Sequence, residues 1–272
     1  MKLNIAAIQM DCEIKKKRAN LEKAERLIDE AGKDADIIAL PEFFTTGYLP
    51  ELIGDDFYEL AETVPGPTVD RLAEKAKQHS SAIIANIVEK DANQTAVLYD
   101  TTFVIDSMGV YRGKYRKVHL YPTEHTYFRS GTSFPVFELA GTTIGLATCY
   151  DHAFGEMFRI MALKGAEVIF IPSAVPKNFE YLLDLRTRAR AQDNQIFAVA
   201  VNRSGNDGDV KWCGSSKIVD PRGEVVAEAG EEECLLTGSV DLSMIAEERR
   251  QEPILRNRRP EIYNVLVHDQ IL

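Results

Sequence analysis

The chain predicts an α/β protein of layered sheets and helices, and three observations carry that expectation. Apolar runs of strand length alternate with amphipathic stretches of helix length through most of the sequence, the pattern of elements that each bury a face against a neighbouring layer. The segment Asp34-Ala-Asp-Ile-Ile-Ala-Leu-Pro41 is echoed by Gly165-Ala-Glu-Val-Ile-Phe-Ile-Pro172, each following a helical stretch. Two similar halves packed about a pseudo-twofold axis would give two central sheets with helices outside, although any α/β chain can repeat a buried strand followed by proline. Finally, 272 residues that are 45% hydrophobic and 27% charged can bury one large core, and no linker or low-complexity segment divides them. Residues 1–272 are therefore read as a single domain.

Taken in order, Leu3 to Gln9 reads as a first strand and Asn20 to Ala31 as a helix over it, with Leu21, Ala24, Leu27, Ile28 and Ala31 on one face. Asp36 to Leu40 is a buried strand that stops at Pro41, where the missing N–H ends the ladder. A helix over about Thr68 to Gln78 precedes strands at Ser81 to Val88 and Thr95 to Ile105. Asp106-Ser-Met-Gly109 has the composition of a hairpin turn, and Ala140-Gly141 joins strands at Val136 to Leu139 and Thr143 to Thr148. A helix near Glu156 to Lys164, a strand at Val168 to Ile171, a helix from about Glu180 to Gln195 and a strand at Ile196 to Val201 complete the assignments. From about Glu247 the chain turns charged and then mildly apolar at Ile262 to Leu266, which suits an arm lying on a neighbour or on its own surface.

Composition excludes several classes. A net charge of -10, with 42 acids against 32 bases, argues against a nucleic-acid surface, because phosphate binding needs clustered unpaired cations. It leaves room for an anionic small substrate in a locally basic pocket. The N-terminal apolar stretch is too short for a secretory signal, and no segment reaches the roughly 18 apolar residues of a membrane span, so a soluble, cytoplasmic protein is expected. Cys12, Cys149, Cys213 and Cys234 lack metal-site spacing and have no nearby histidine pair, so free thiols and no metal or organic cofactor are expected.

Three positions could carry chemistry. Cys149, in Gly145-Leu-Ala-Thr-Cys149-Tyr-Asp-His, ends an apolar strand and precedes a turn toward a helix, which puts it at a strand's carboxyl end, where α/β folds place ligands. Taken alone it is equally a packed thiol. His152 stands three residues on; His79, His119, His125 and His268 are the other histidines, and none is marked as its base. Glu42 follows Leu40-Pro41 and precedes two phenylalanines, a setting that would desolvate a carboxylate, raise its pKa and suit it to proton transfer, unless it simply caps the turn. The run Arg112, Lys114, Arg116, Lys117 and His119 reads as a solvated edge strand. Alternation, however, puts Tyr115, Lys117 and His119 on one face and Lys114, Arg116 and Val118 on the other, so one lysine can point inward.

Leu-Pro-Glu42-Phe-Phe, Arg116-Lys117-Val-His-Leu and Ala-Thr-Cys149-Tyr-Asp, separated by 75 and 32 residues, together resemble the nitrilase superfamily of carbon–nitrogen hydrolases. Each motif is weak and the ordered set is specific; with the strand ending in Gln9 and the 165–172 segment, the resemblance covers the whole chain. It implies a four-layer αββα sandwich whose protomers pair through helices into a homodimer or higher homo-oligomer. It also implies Glu42 as general base, Lys117 as oxyanion stabiliser, Cys149 as nucleophile, and Glu124, in the loop after the lysine, as a second glutamate positioning substrate or water. Tyr48, Tyr150, His152 and Ala174 lie on loops expected to wall the substrate pocket, and the Tyr150 N–H is expected in the oxyanion site. One departure follows the cysteine. Where many amidases of this family carry Phe-Pro-Glu, this chain has Phe154-Gly155-Glu156, and His152 and Ala153 occupy the place where some N-carbamoyl amino acid hydrolases carry a carboxylate-binding arginine. That puts an α-carboxylate substrate in doubt.

The resemblance thus implies hydrolysis of a small linear amide through a cysteine thioester, releasing ammonia or an amine. Hydrolysis of an N-carbamoyl compound passes through the same cysteine and stands as the alternative. A nitrilase, an amine acyltransferase and a non-catalytic scaffold are less well supported, the last because Glu42, Lys117 and Cys149 are all intact.

Overall fold

The structure, a computed structural model, describes residues 1–267. Its first half runs β1 (Lys2–Gln9), α1 (Lys17–Ala31), β2 (Ile37–Ala39), the short helices α2 (Pro50–Ile53) and α3 (Asp56–Leu60), α4 (Pro67–His79), β3 (Ala82–Lys90), β4 (Leu98–Ile105) and β5 (Tyr111–Arg116). The second half runs β6 (Val136–Leu139), β7 (Thr142–Leu146), α5 (Gly155–Leu163), β8 (Val168–Ser173), α6 (Glu180–Asn194) and β9 (Phe197–Asn202). After these come β10 (Asn206–Asp207), β11 (Val210–Lys211), β12 (Lys217–Val219), β13 (Val225–Glu228), β14 (Cys234–Asp241) and α7 (Ser243–Gln251).

Two six-stranded sheets form, in the orders β14-β1-β2-β3-β4-β5 and β6-β7-β8-β9-β12-β13. Read in those orders, both sheets show the same succession of pairings: antiparallel, parallel, parallel, antiparallel, antiparallel. The echoing segments supply β2 and β8, each third in its sheet, so the repeat in sequence is a repeat in topology. Alternation then sorts the side chains. Leu3, Ile5 and Ala7 of β1, with Ile37 and Ala39 of β2, join Ile144, Val168, Val199 and Ile218 in a core shared by the two sheets. Ala6, Ile8, Ile38 and Leu40 point the other way, under Leu21, Ala24 and Ile28 of α1 and Val69, Leu72 and Ala76 of α4. On the far side Met157, Phe158 and Met161 of α5 and Ala191 of α6 cover the second sheet. The layers are helix, sheet, sheet, helix.

The stretch after Val201 carries structure that the periodicity did not announce. β14 pairs with β1 over its whole length, from Lys2 opposite Asp241 to Gln9 opposite Cys234, yet its burial is patchy and it contains a glycine, so no clean alternation marks it. The arm expected from about Glu247 is corrected in part. Glu247 to Gln251 belong to α7, which is seated by buried Leu242 and Ile245. The following segment faces α5 across a surface cavity whose walls include Ile160, Leu163, Ile254 and Tyr263. His268 lies outside the described residues. Among the described residues no helix is long and apolar enough to cross a membrane.

Candidate active site

Two backbone turns present the site. β2 ends at Ala39, Leu40 and Pro41 follow, and Phe43 then takes a left-handed φ of 49°, a conformation costly for a residue with a Cβ. Its N–H donates to Asn86 Oδ1 at 2.9 Å, which holds the turn and fixes Glu42 beside it. Past β7, Cys149 also has a left-handed φ, 45°, and opens the 3-10 turn Cys149–Ala153. Strained positions of this kind gather at functional sites. Asp151 holds that turn: its Oδ2 accepts from the Thr148 N–H at 2.9 Å and the Tyr115 hydroxyl at 2.6 Å. Its Oδ1 accepts from the His119 N–H at 3.0 Å. One buried carboxylate therefore joins the cysteine turn to the strand end that carries Lys117, and Thr102 Oγ1, 3.0 Å from Thr148 Oγ1, joins the two sheets there.

The inward face assigned to the basic run is the one observed. Lys114 and Arg116 both pair with Glu89 on the opposite face, while Tyr115 and Lys117 are buried. Lys117 Nζ donates to Glu42 Oε1 and Glu124 Oε1, each at 2.7 Å, and stands 3.3 Å from Asp100 Oδ2. Glu42, Asp100 and Glu124 are the one group of three potential metal ligands among the described residues, and the ammonium already occupies their centre. Glu124 also accepts from the Tyr48 hydroxyl at 2.5 Å and, through Oε2, from the Tyr121 N–H at 2.8 Å.

The electrostatics of this cluster follow from burial and unequal charge. Burial opposes the ammonium of Lys117, but Glu124, Glu42 and Asp100 outweigh it and hold its pKa well above the usual lysine value. Burial, then Glu42 and Glu124, push the Asp100 carboxyl well above its usual range against the pull of Lys117, and burial raises Glu124 despite Lys117. Three carboxylates facing one cation cannot all stay ionised in a dry site. Asp100 is the group placed to keep a proton: Asn86 Nδ2 donates to its Oδ1 at 2.6 Å, while its Oδ2 and Glu42 Oε2 have no other hydrogen-bond partner among the described residues. Asp100→Asn, which mimics the protonated acid, is expected to keep unfolding free energy within about 1 kcal/mol of the parent, and Asp100→Leu to lose about 2 kcal/mol or more. Denaturant titration measures both, and an Asn variant as unstable as the Leu variant would mean that Asp100 is ionised. Burial, followed by Glu42, also pushes the Cys149 thiol well above its ordinary value, while Lys117 and the Ala174 N–H beside the sulfur pull it down.

Cys149 opens onto a cavity of about 340 Å³. All four expected wall residues, Tyr48, Tyr150, His152 and Ala174, line it. Phe43 and Phe128 instead pack against Phe57 in the core, with tilted and edge-on rings. Phe179, Leu182 and Arg186 reach the cavity from α6 and the turn before it, and Trp212 from beyond β11. Sequence reasoning missed these because nothing local marks which side of a mostly polar helix faces a pocket. Gly155, in place of proline, leaves room for Arg190: a Cβ there would lie 3.3 Å from Arg190 Nη1, and Arg190 donates to the carbonyls of His152 and Ala153.

A cavity-lining thiol backed by a buried ammonium and the two carboxylates that clamp it, in an αββα sandwich, defines a candidate hydrolase. Comparison with known proteins gives the class directly. The sequence profile of the family described as Carbon-nitrogen hydrolase matches residues 4–250. The 2-oxoglutaramate amidase of Bacillus subtilis is 36% identical, with 97% of this chain and 100% of that protein covered. A carbon-nitrogen hydrolase of Helicobacter pylori superposes with a TM-score of 0.92 at 26% identity, covering 98% of each chain. An amidase from Nesterenkonia sp., crystallised as a glutamate-to-glutamine mutant with the acetamide moiety of fluoroacetamide on its active-site cysteine, superposes with a TM-score of 0.84 at 25% identity, covering 97% of this chain and 96% of that one. The chain belongs to the carbon–nitrogen hydrolase family.

Proposed function

We propose that this protein hydrolyses small linear amides through a thioester on Cys149. The chain is a carbon–nitrogen hydrolase of the amidase type. The observation that carries the mechanism is the buried Lys117 ammonium clamped between Glu42 and Glu124 beside Cys149, whose thiol pKa burial and Glu42 push well above its ordinary value. Such a thiol needs a base, and Glu42 takes its proton as the sulfur bonds to the amide carbon. The Lys117 ammonium and the Tyr150 N–H hold the oxyanion. The carbon–nitrogen bond breaks as Glu42 returns the proton to the departing ammonia or amine. Water, deprotonated by Glu42 and oriented by Glu124, then attacks the thioester and frees the acid and the thiol.

The B. subtilis relative is named for an amide substrate and the Nesterenkonia enzyme carries an acetamide moiety on its active-site cysteine, which supports the amide reading. Hydrolysis of an N-carbamoyl compound is the second reading, since it needs the same four groups. Exposed Ile160, Leu163, Tyr181 and Leu185 on the outer faces of α5 and α6 support helix-mediated pairing of two protomers. The deciding experiment incubates the protein with amides, ureides and nitriles, follows ammonia release and looks for an acyl adduct by intact mass. Turnover of amides with an adduct at Cys149 is expected; no turnover of any class would remove the proposal.

A further inference from the structure

We infer that Arg186 forms an anion subsite in the Cys149 cavity and binds a carboxylate on the far end of the amide substrate. The inference rests on the amidase reading for its reaction but on separate residues for its geometry. α6 carries three arginines at alternate positions, and their environments differ. Arg188 lies 4.0 Å from Asp184, and Arg190 lies 3.4 Å from Asp193. Arg186 makes no ion pair among the described residues, and the contact it does make is from Nη1 to His152 Nε2 at 3.0 Å.

That contact is not charge-compensating. His152 is 97% shielded from solvent, and burial, with Arg186 and Arg190 beside it, pushes its pKa down to about 3. The imidazole is thus neutral near pH 7, and its Nε2 accepts from the guanidinium. Its Nδ1 must then carry the ring hydrogen, and that buried atom has no partner among the described residues. A half-buried guanidinium with unused donors, braced by a neutral imidazole, therefore stands at one wall of the cavity that Cys149 opens onto. Buried donors without acceptors are costly, and a planar carboxylate satisfies a guanidinium fork with two parallel hydrogen bonds. Among the described residues the one other charged side chain lining the cavity is the exposed Glu51 on α2, which leaves the Arg186 end cationic. Tyr48, Tyr150, Phe179 and Trp212 supply apolar surface elsewhere on the walls. The ligand that fits is a short aliphatic chain with an amide at one end and a carboxylate at the other.

The sequence argument that doubted a carboxylate substrate looked for a cation at positions 152 and 153. The cation comes instead from α6 and reaches the same place, with His152 as its neighbour rather than its replacement.

The test compares succinamate with the neutral butyramide as substrates, and measures succinate binding by calorimetry, for the wild type, Arg186→Met and Arg186→Lys. Wild type is expected to favour succinamate in kcat/KM, and Arg186→Met to lose about 100-fold on succinamate, mainly through KM, while butyramide changes by less than about threefold. Lysine restores part of the loss. Succinate binding is expected to weaken by a similar factor in Arg186→Met. Equal losses on both amides, or unchanged succinate binding, would assign Arg186 a structural role and overturn the subsite. If succinate binds through Arg186 but neither amide is cleaved, the subsite stands and the amidase reading falls. If both amides are cleaved and charge makes no difference, the amidase reading stands and the subsite falls.

Discussion

Replacing Lys117 by methionine is expected to cost about 3–5 kcal/mol of folding stability and to reduce kcat/KM by at least about 10³-fold. Lys117 lies fully buried with Nζ at 2.7 Å from two carboxylates and 3.3 Å from a third. Methionine fills most of the volume, so cavity formation contributes little and the loss is electrostatic. Without the ammonium, Glu42, Asp100 and Glu124 are left facing one another in a site closed to water, and at least two must take up protons. The stability loss should therefore shrink as pH falls and the carboxylates fill. Denaturant titrations at pH 5 and pH 8 measure this, and a loss independent of pH would show that packing rather than charge is at stake. Adding Glu124→Gln to the methionine variant removes one of the stranded charges and should recover part of the stability, a non-additivity that a double-mutant cycle quantifies.

Much of this arrangement can be read in the sequence, for a physical reason. Strands buried on both faces, such as Ile37 to Leu40, appear as unbroken apolar runs, and the residues just beyond their carboxyl ends stand out as polar groups where burial ends. Glu42 and Cys149 are visible in this way, and Lys117 by alternation within its basic run. Other parts of the site have weaker local signatures. Asp100 sits inside the apolar and β-branched run of β4, and an acid at such a position was a signal that it must meet a partner; its partners Asn86 and Lys117 come from different strands. Asp151 stands within the cysteine motif, but its work is to receive hydrogen bonds from residues more than thirty positions away in sequence. Arg186 is one of three arginines on a polar helix, and only the tertiary structure distinguishes it as the one without an acid partner among the described residues. β14 is legible only through its register with β1, because an edge strand with patchy burial has no strong period of its own.

Removing the thiol tests the remaining half of the centre. Cys149→Ala is expected to lower kcat by about 10⁴-fold or more, since a missing nucleophile leaves no route to the covalent intermediate. Stability should stay within about 1 kcal/mol, because the sulfur faces the cavity and its loss enlarges existing space rather than opening a void in the core. The backbone gives an independent control. At φ 45° both cysteine and alanine bear the cost of a Cβ in the left-handed region, and glycine does not. Cys149→Gly should therefore be as stable as Cys149→Ala or up to about 1 kcal/mol more so, despite the greater freedom glycine gives the unfolded chain. Thermal denaturation compares the two, and steady-state ammonia release compares both with the parent. Turnover near the parent level in either variant would overturn the assignment of Cys149 as nucleophile. A glycine variant much less stable than alanine would mean that the cysteine turn is held without strain, by Asp151 and its four hydrogen-bond contacts to Thr148, Tyr115 and His119.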